Sequence, residues 1–179
     1  MTIFISGGAK SRKSTCGQNC AVALGGKRYY VATMRSTGAE DDERIRRHIA
    51  DREGLGFETV ECFQNVLDCL NTADPEATFL VDSVTALIQN SLFPPEKNYE
   101  MDPDAAGRCA DELVEFAGRV KNAIFVSDYI YSDSNAFSES TECYRRCLAS
   151  VDRRLARVCQ TVAEASSGQI FVYKGELPL

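Results

Sequence analysis

One stretch near the start of the chain decides the fold: TIFISGGAKSRKSTCGQNCAVAL, residues Thr2–Leu24. Its apolar beginning predicts a short strand, and its second half predicts a helix that the pair Gly25-Gly26 ends. The turn between them, GGAKSRKS (Gly7–Ser14), follows the phosphate-binding pattern G-x-x-x-x-G-K-[ST] except at Arg12, which replaces the second glycine. The order strand, turn, helix is the structural context in which this pattern binds phosphate.

The turn contains the groups that phosphate binding needs. Its successive backbone N–H groups can surround an anion, and the N-terminus of the following helix adds a partial positive charge. Lys13 can reach the β- and γ-phosphates of a nucleotide, and the hydroxyl of Ser14 can ligate Mg²⁺. We therefore predict that nucleotide phosphates contact the whole turn, which consists of Gly7, Gly8, Ala9, Lys10, Ser11, Arg12, Lys13 and Ser14.

Arg12 leaves two interpretations of the turn open. Glycine at this position lets the backbone approach the phosphates and adopt conformations that a side chain resists. Arginine adds bulk, but it also adds a cation that can bind phosphate. The alternative to a phosphate site is a plain strand-to-helix turn with solvated basic side chains, and the flanking strand and helix favour the phosphate site.

Short β-rich runs alternate with helical patterns along the rest of the chain. We predict helices at residues 13–24, 39–53 and 84–93. We also predict a helix that ends at about residue 71, one that begins at about residue 103, and a long last helix that runs through about Ala165. This alternation is typical of a mostly parallel sheet covered on both faces. We expect one α/β domain over residues 1–179 with a P-loop NTPase-like three-layer fold, and ligands beyond the carboxyl ends of the strands. The predicted strands are Thr2–Ser6, Arg28–Thr33, Thr59–Cys62, Thr78–Asp82, Ala123–Asp128 and Gln169–Lys174.

Asp82 ends the apolar run FLVD, and two roles are open for it. We expect its strand to lie beside the strand of the phosphate turn, where an acid is the usual partner of Mg²⁺ together with Ser14. The alternative is that Asp82 caps the helix that begins at Val84, a role that Ser83 could also fill. The phosphate turn favours the metal role.

His48 is the only histidine, and it lies in the run DDERIRRHIADREG. On a helix, Arg44, His48 and Arg52 are four residues apart and share one face. Two guanidinium groups beside an imidazole can neutralise a phosphoryl group that reaches the ring. The alternative is a solvated basic face paired with Glu40 and Glu43, and the spacing alone favours that alternative.

Composition excludes some classes of protein. The formal net charge of −6 argues against a general nucleic-acid binder, which needs a basic surface. No apolar run is long enough to span a bilayer and the first residues do not resemble a signal peptide, so we expect a cytoplasmic protein. The eight cysteines include two pairs at i, i+4 spacing, Cys16/Cys20 and Cys143/Cys147; buried, reduced thiols are favoured over a metal site.

Several of these features occur together in one family. The chain resembles the bifunctional adenosylcobinamide kinase/adenosylcobinamide-phosphate guanylyltransferases of cobalamin biosynthesis. The resemblance rests on the GGAKSRKS turn, YYVAT, the DDERIRRHIADR run around His48, TVE at Thr59–Glu61, LVDSVTALIQNSLF at Leu80–Phe93, and YRRCLASVDRRLARVCQTV. These segments occur in family order and extend over almost the whole chain.

The resemblance implies a function and a set of site residues. Members phosphorylate the aminopropanol hydroxyl of adenosylcobinamide and then transfer GMP from GTP through a covalent guanylyl-histidine, usually as trimers. By this resemblance His48 is the catalytic nucleophile, Arg52 contacts the nucleotide, Lys13 and Ser14 hold the triphosphate and Mg²⁺, and the substrates are GTP or ATP and a corrinoid.

The chain also departs from the family pattern. The family has glycine in place of Arg12, and an Asn-Glu-x-Gly pattern where this chain has Asp128-Tyr129-Ile130-Tyr131, followed by residues 132–135. A family Asn-Gln becomes Asp152-Arg153. Two other functions therefore stay open: a nucleotide- or corrinoid-binding protein without turnover, and a small-molecule kinase with another acceptor.

Overall fold

The computed structural model describes residues 1–132 and 135–179, and within them the chain forms seven strands and five α-helices around one sheet. The strands are β1 (Thr2–Gly7), β2 (Arg28–Ala32), β3 (Phe57–Glu61), β4 (Thr78–Asp82), β5 (Asn122–Asp128), β6 (Thr161–Ser166) and β7 (Gln169–Lys174). The α-helices are α1 (Lys13–Leu24), α2 (Ala39–Asp51), α3 (Val84–Leu92), α4 (Ala105–Arg119) and α5 (Glu139–Val158). Short 3₁₀ turns lie at Val66–Asn71, Pro95–Lys97 and Ile130–Ser132.

The strand order is β3-β2-β4-β5-β1-β6-β7, and every pairing is parallel except that of β6 with β7. This confirms the predicted mostly parallel α/β sheet. The register places Gly7 opposite Asp128 and Ala32 opposite Asp82, so the carboxyl ends of the central strands meet at one edge. That edge is where a parallel sheet of this kind binds ligands.

Two apolar clusters cover the two faces of the sheet. On one face Ile3 and Ile5 pack with Cys16 and Cys20 of α1. On the other face Phe4 belongs to a larger cluster that α3, α4 and α5 complete. The alternation of side chains along β1 therefore gives three layers, because successive residues of a strand point to opposite faces.

All eight cysteines are free thiols, and six of them are buried. In the described parts of the chain, no helix combines the length and the apolar character that crossing a membrane requires.

The prediction of a helix through about Ala165 was wrong. The helix α5 ends at Val158, and residues Thr161–Ser166 form β6 beside β1. Side chains of β6 alternate between buried and half-buried, which is the period of a strand and not of a helix. Lys174 on β7 donates to the carbonyl oxygens of Arg157 (3.0 Å) and Cys159 (2.6 Å) and so satisfies the end of α5.

The position expected for the Asp82 strand was also wrong. We expected β4 to lie beside β1, but β5 lies between them, and the neighbours of β1 are β5 and β6. Strand order depends on contacts between distant segments, which the local pattern around Asp82 does not specify.

A buried carboxyl group connects α5 to the end of β5. Asp152 on α5 is 3% exposed, and its carboxyl oxygens accept hydrogen bonds from the hydroxyl groups of Ser127 (2.8 and 3.1 Å) and Tyr131 (3.1 Å). Burial, with a smaller contribution from the nearby Asp128, raises the pKa of Asp152 to about 7 against the opposing effect of the hydrogen bonds from Ser127 and Tyr131. The contact fixes the chain just beyond the carboxyl end of β5.

The pH dependence of stability tests this assignment. The unfolded chain releases the proton of Asp152 near the ordinary pKa of 3.8, whereas the folded protein retains it until about pH 7. The folded state therefore loses stability as the pH rises from about 4 to 7, and the substitution Asp152→Asn removes this loss. From pH 5 to pH 8, the free energy of unfolding of the variant relative to wild type should rise by roughly 2–3 kcal/mol. Urea denaturation at each pH measures it, and an equal difference at both pH values contradicts the assignment.

Candidate functional site

The turn between β1 and α1 holds an unusual backbone conformation. Lys10 and Arg12 have φ values of 58° and 70°, in the left-handed region, and Arg12 is the residue that immediately precedes α1. Glycine adopts this region freely, whereas another L-residue in it costs roughly 1 kcal/mol. Arg12 therefore occupies the conformation that suits the motif's glycine, and its side chain is exposed.

The turn is closed at its base by Gly7. A Cβ atom at Gly7 would lie 2.5 Å from Oγ of Ser11 and 2.6 Å from the carbonyl oxygen of Ala165 on β6, whereas one at Gly8 would meet nothing within 4 Å. Oγ of Ser11 is buried and finds no hydrogen-bond partner among residues 1–132 and 135–179. The first glycine is thus required by packing, and the turn retains an unsatisfied polar atom of the kind that a ligand could bind.

Lys13 is the first residue of α1, and its ammonium group is held inside the turn. Its Nζ lies 2.5 Å from Oδ1 of Asp128 and donates to the carbonyl oxygen of Gly8 at 3.1 Å. The side chains of Lys13 and Asp128 are only 8% and 14% exposed. Sequence reasoning placed Asp128 at the carboxyl end of a strand but gave it no role, because its contact with Lys13 follows from the pairing of β5 with β1.

A cavity of about 450 Å³ lies between the turn and α2. The cations outnumber the acids by two, so the electrostatics of the cavity favour an anion even though the protein as a whole is acidic. The cations that line it are Lys10, Arg12, Lys13, Arg44 and Arg47, the acids are Glu40, Asp51 and Asp128, and the remaining residues are Ala9, Ser11, Ser14 and His48.

His48 lies where this cavity meets a second one. The second cavity, of about 80 Å³, is lined by His48, Arg44 and residues that include Tyr30, Glu61 and Asp82. Nδ1 of His48 is buried and lies 3.8 Å from Oδ2 of Asp82, which is too far for a hydrogen bond. In the described part of the chain Nδ1 has no hydrogen-bond partner. The structure thus brings His48 to the same cavity as the phosphate turn.

Arg52 does not join that cavity. It follows the last residue of α2, and its guanidinium group lies over the ring of Tyr30, 4.1 Å from the ring centroid. It also donates to the carbonyl oxygen of His48 (2.7 Å) and to Oγ1 of Thr59 (3.0 Å). Of the two arginines predicted to share a face with His48, Arg44 lines both cavities and Arg52 lines only the second.

Asp82 and Ser14 lie in different cavities. Asp82 lines the second cavity with His48, and its Oδ2 accepts a hydrogen bond from the hydroxyl of Tyr30 at 3.1 Å. Burial raises the pKa of Tyr30, and the carboxylate of Asp82 raises it further. Oγ of Ser83 accepts the N–H of Ala86 at 3.2 Å, so Ser83 provides the cap of α3.

The loop after β5 lies partly outside the described residues. This applies to Asp133 and Ser134, which belong to the segment where the chain departs from the family pattern. The described part of the loop is anchored by Arg145 of α5, which donates to the carbonyl oxygens of Ile130 (3.2 Å) and Tyr131 (3.1 Å).

Solved structures with a similar fold include an ATPase and a recombinase. A Pyrococcus horikoshii OT3 protein is 13% identical with a TM-score of 0.56, and the match covers 97% of this chain and 86% of that one. The RadB recombinase is 16% identical with a TM-score of 0.53, and the match covers 99% of this chain and 82% of the recombinase chain. An ATPase of the type III secretion system of pathogenic bacteria is 13% identical with a TM-score of 0.51, and the match covers 93% of this chain and 51% of the ATPase chain. At these identities the matches confirm the fold class alone.

Sequence comparison identifies the family. No curated protein matches the chain. A family model described as cobinamide kinase/cobinamide phosphate guanyltransferase matches residues 3–172, from β1 into β7, and so includes the phosphate turn and His48. The family consists of nucleotide-dependent enzymes of cobalamin biosynthesis. The chain belongs to this cobinamide kinase/cobinamide phosphate guanyltransferase family.

Proposed function

We propose that the protein phosphorylates adenosylcobinamide and transfers GMP from GTP to the resulting phosphate through a guanylyl-histidine at His48. The observation that supports this most is one cavity of net positive charge onto which both the phosphate turn and His48 open. A phosphate-binding turn alone is common to many nucleotide-dependent enzymes. A histidine beside it adds a nucleophile that can form a covalent phosphoryl intermediate.

The first reaction transfers a phosphoryl group and the second a guanylyl group, each to an attacking oxygen or nitrogen atom. In the kinase step the substrate hydroxyl oxygen attacks the γ-phosphorus, and the bond to the bridging oxygen of the nucleoside diphosphate breaks. In the second reaction an imidazole nitrogen of His48 attacks the α-phosphorus of GTP, and pyrophosphate leaves. An oxygen of cobinamide phosphate then attacks the same phosphorus and breaks its bond to nitrogen, which frees His48.

Residues of the phosphate turn hold the nucleotide in this proposal. The N–H groups of the turn and Lys13 bind the phosphates, and Arg12, Arg44 and Arg47 add positive charge to the cavity wall. Arg52 lines only the second cavity, and its guanidinium group is engaged with Tyr30 and Thr59, so in this proposal it contacts the nucleotide only from that side.

The available donors suit Mg²⁺, because they are hydroxyl and carboxylate oxygens. Ser14 would hold the ion from the phosphate cavity, and Asp82 stays a candidate from the second cavity. When bound, Mg²⁺ supplies charge neutralisation for the phosphates. Asp82 has a second candidate role, since its carboxylate lies 3.8 Å from Nδ1 of His48 and can stabilise the positive charge that the imidazole acquires on guanylylation.

The two alternatives rest on specific observations. The left-handed Arg12 in place of the motif's glycine favours a protein that binds nucleotide or corrinoid without turnover, because it changes the backbone that positions the phosphates. The departure from the family pattern after β5 favours a kinase with a different acceptor. The trimeric state, the single domain and the cytoplasmic location stay predictions.

Replacing Lys13 tests nucleotide binding at the turn. The substitution Lys13→Ala removes a charge-assisted contact to phosphate, so the affinity for ATP and GTP should fall roughly 10- to 100-fold. Calorimetric titration with each nucleotide in the presence of Mg²⁺ measures the loss. The matched control is Lys10→Ala, which removes the same charge from the rim of the same cavity. Equal losses in the two variants contradict the specific role of Lys13.

Replacing Arg12 separates its effect on stability from its effect on binding. Arg12→Gly relieves a left-handed backbone conformation, so the free energy of unfolding should rise by about 1 kcal/mol. The same change removes a cation from the cavity wall, so the affinity for nucleotide should fall several-fold, by no more than about tenfold. Arg12→Lys keeps the charge and should keep the affinity. Higher affinity in Arg12→Gly would show that arginine obstructs the turn.

The covalent intermediate can be detected by labelling. Incubation with GTP labelled at the α-phosphate should leave acid-labile, base-stable label on the wild-type protein, as expected of a phosphorus–nitrogen bond. His48→Ala should carry no label, whereas Ile49→Ala, an exposed neighbour on the same helix, should be labelled like wild type. Unlabelled wild type, or a labelled His48→Ala, contradicts the guanylyl-histidine, and nucleotide binding without label supports the binding alternative.

A further inference from the structure

Asp128 places a negative charge inside a site that otherwise suits an anion. Its Oδ1 lies 2.5 Å from Nζ of Lys13, and its side chain is 14% exposed to the same cavity. A phosphate that reaches Lys13 must therefore share the ammonium group with this carboxylate or displace it. The repulsion between the carboxylate and a phosphate is strong, because water and salt screen two like charges only weakly when they lie a few ångströms apart in a partly buried site.

Hydrogen bonds hold the backbone of Asp128 beside the turn, so its carboxylate stays within side-chain reach of Lys13. Its N–H donates to Oγ1 of Thr85 at 2.7 Å, and the N–H of the next residue, Tyr129, donates to the carbonyl oxygen of Gly7 at 3.3 Å. Oγ1 of Thr85 lies 3.4 Å from Oγ of Ser127, which in turn donates to the buried Asp152. These contacts connect β5 to α3, α5 and the phosphate turn.

A divalent cation changes the sign of this interaction. Metal-free ATP or GTP presents only negative charge to Asp128, whereas a nucleotide that carries Mg²⁺ presents a cation that carboxylate oxygens bind readily. The carboxylate then attracts the incoming complex and releases Lys13 to the phosphates. The other acids of the cavity, Glu40 and Asp51, lie on α2 across the cavity from the turn.

We propose that Asp128 makes the site select nucleotides that carry a divalent cation over the same nucleotides without metal. The inference rests on the proposed function, because it assumes that nucleotide phosphates bind at Lys13. It assigns to Asp128 a role in specificity that is separate from the roles of His48 and Asp82.

The test measures the preference for the metal-bound nucleotide. Wild type, Asp128→Asn and Asp51→Asn are titrated by calorimetry with ATP and with GTP, in excess MgCl₂ or in excess EDTA, at equal ionic strength. The preference is the ratio of the dissociation constant in EDTA to that in MgCl₂. Asp128→Asn should lower this ratio about tenfold or more, mainly through tighter binding of the metal-free nucleotide. Asp51→Asn, which removes the same charge from the other wall, should leave the ratio close to that of wild type.

Further variants guard against a trivial loss of structure. Asp128→Glu keeps the charge and should keep most of the preference, and Asp128→Ser repeats the neutral substitution if Asp128→Asn unfolds. Three outcomes overturn the inference and leave the proposed function intact. They are an unchanged ratio in the neutral variants, an equal fall of the ratio in Asp51→Asn, and the absence of any preference in wild type. Failure of the wild-type protein to bind either nucleotide under both conditions overturns the proposed function and the inference together.

Discussion

The close approach of α1 to the sheet is the constraint on which the site depends. Gly17 lies at the contact, where a Cβ atom would come within 2.9 Å of Cδ1 of Leu80 and 3.2 Å of Cγ2 of Val126. The helix can therefore approach β4 and β5 closely, and its first residue, Lys13, comes within reach of Asp128 at the end of β5. A larger residue at position 17 would push the helix away from the sheet and widen the phosphate turn.

The opposite wall of the cavity is held in a different way. None of the residues of α2 is buried, although the helix carries His48 and Arg44. Its end is held by Arg52, which lies on the ring of Tyr30 and bonds to Thr59. The closely packed wall at α1 thus carries the predicted phosphate-binding groups, and the wall formed by α2, which has no buried residue, carries the predicted nucleophile. Because α2 buries no side chain, moving it would break few apolar contacts. This suits a surface that must admit two substrates in turn.

The sequence predicted those features that depend on local pattern. The turn at Gly7–Ser14 and its flanking strand and helix were predicted because a strand, a glycine turn and a basic residue at fixed spacing form a continuous signal. The strand β6 was missed because its few residues follow a long helix without a glycine or proline between them. The contact of Lys13 with Asp128, and the separation of Asp82 from Ser14, depend on the strand order, which joins residues far apart in the chain.

Two departures from the family pattern now have a common electrostatic meaning. Where the family has glycine this chain has Arg12, which adds a positive charge, and in place of the first asparagine of the Asn-Glu-x-Gly pattern it has Asp128, which adds a negative one. Both side chains line the same cavity, where Arg12 lies at the exposed rim and Asp128 lies against the ammonium group of Lys13. This separation of charges is what the proposed site requires, because a cation at the rim attracts an incoming anion and a carboxylate at the base favours one that carries a metal ion.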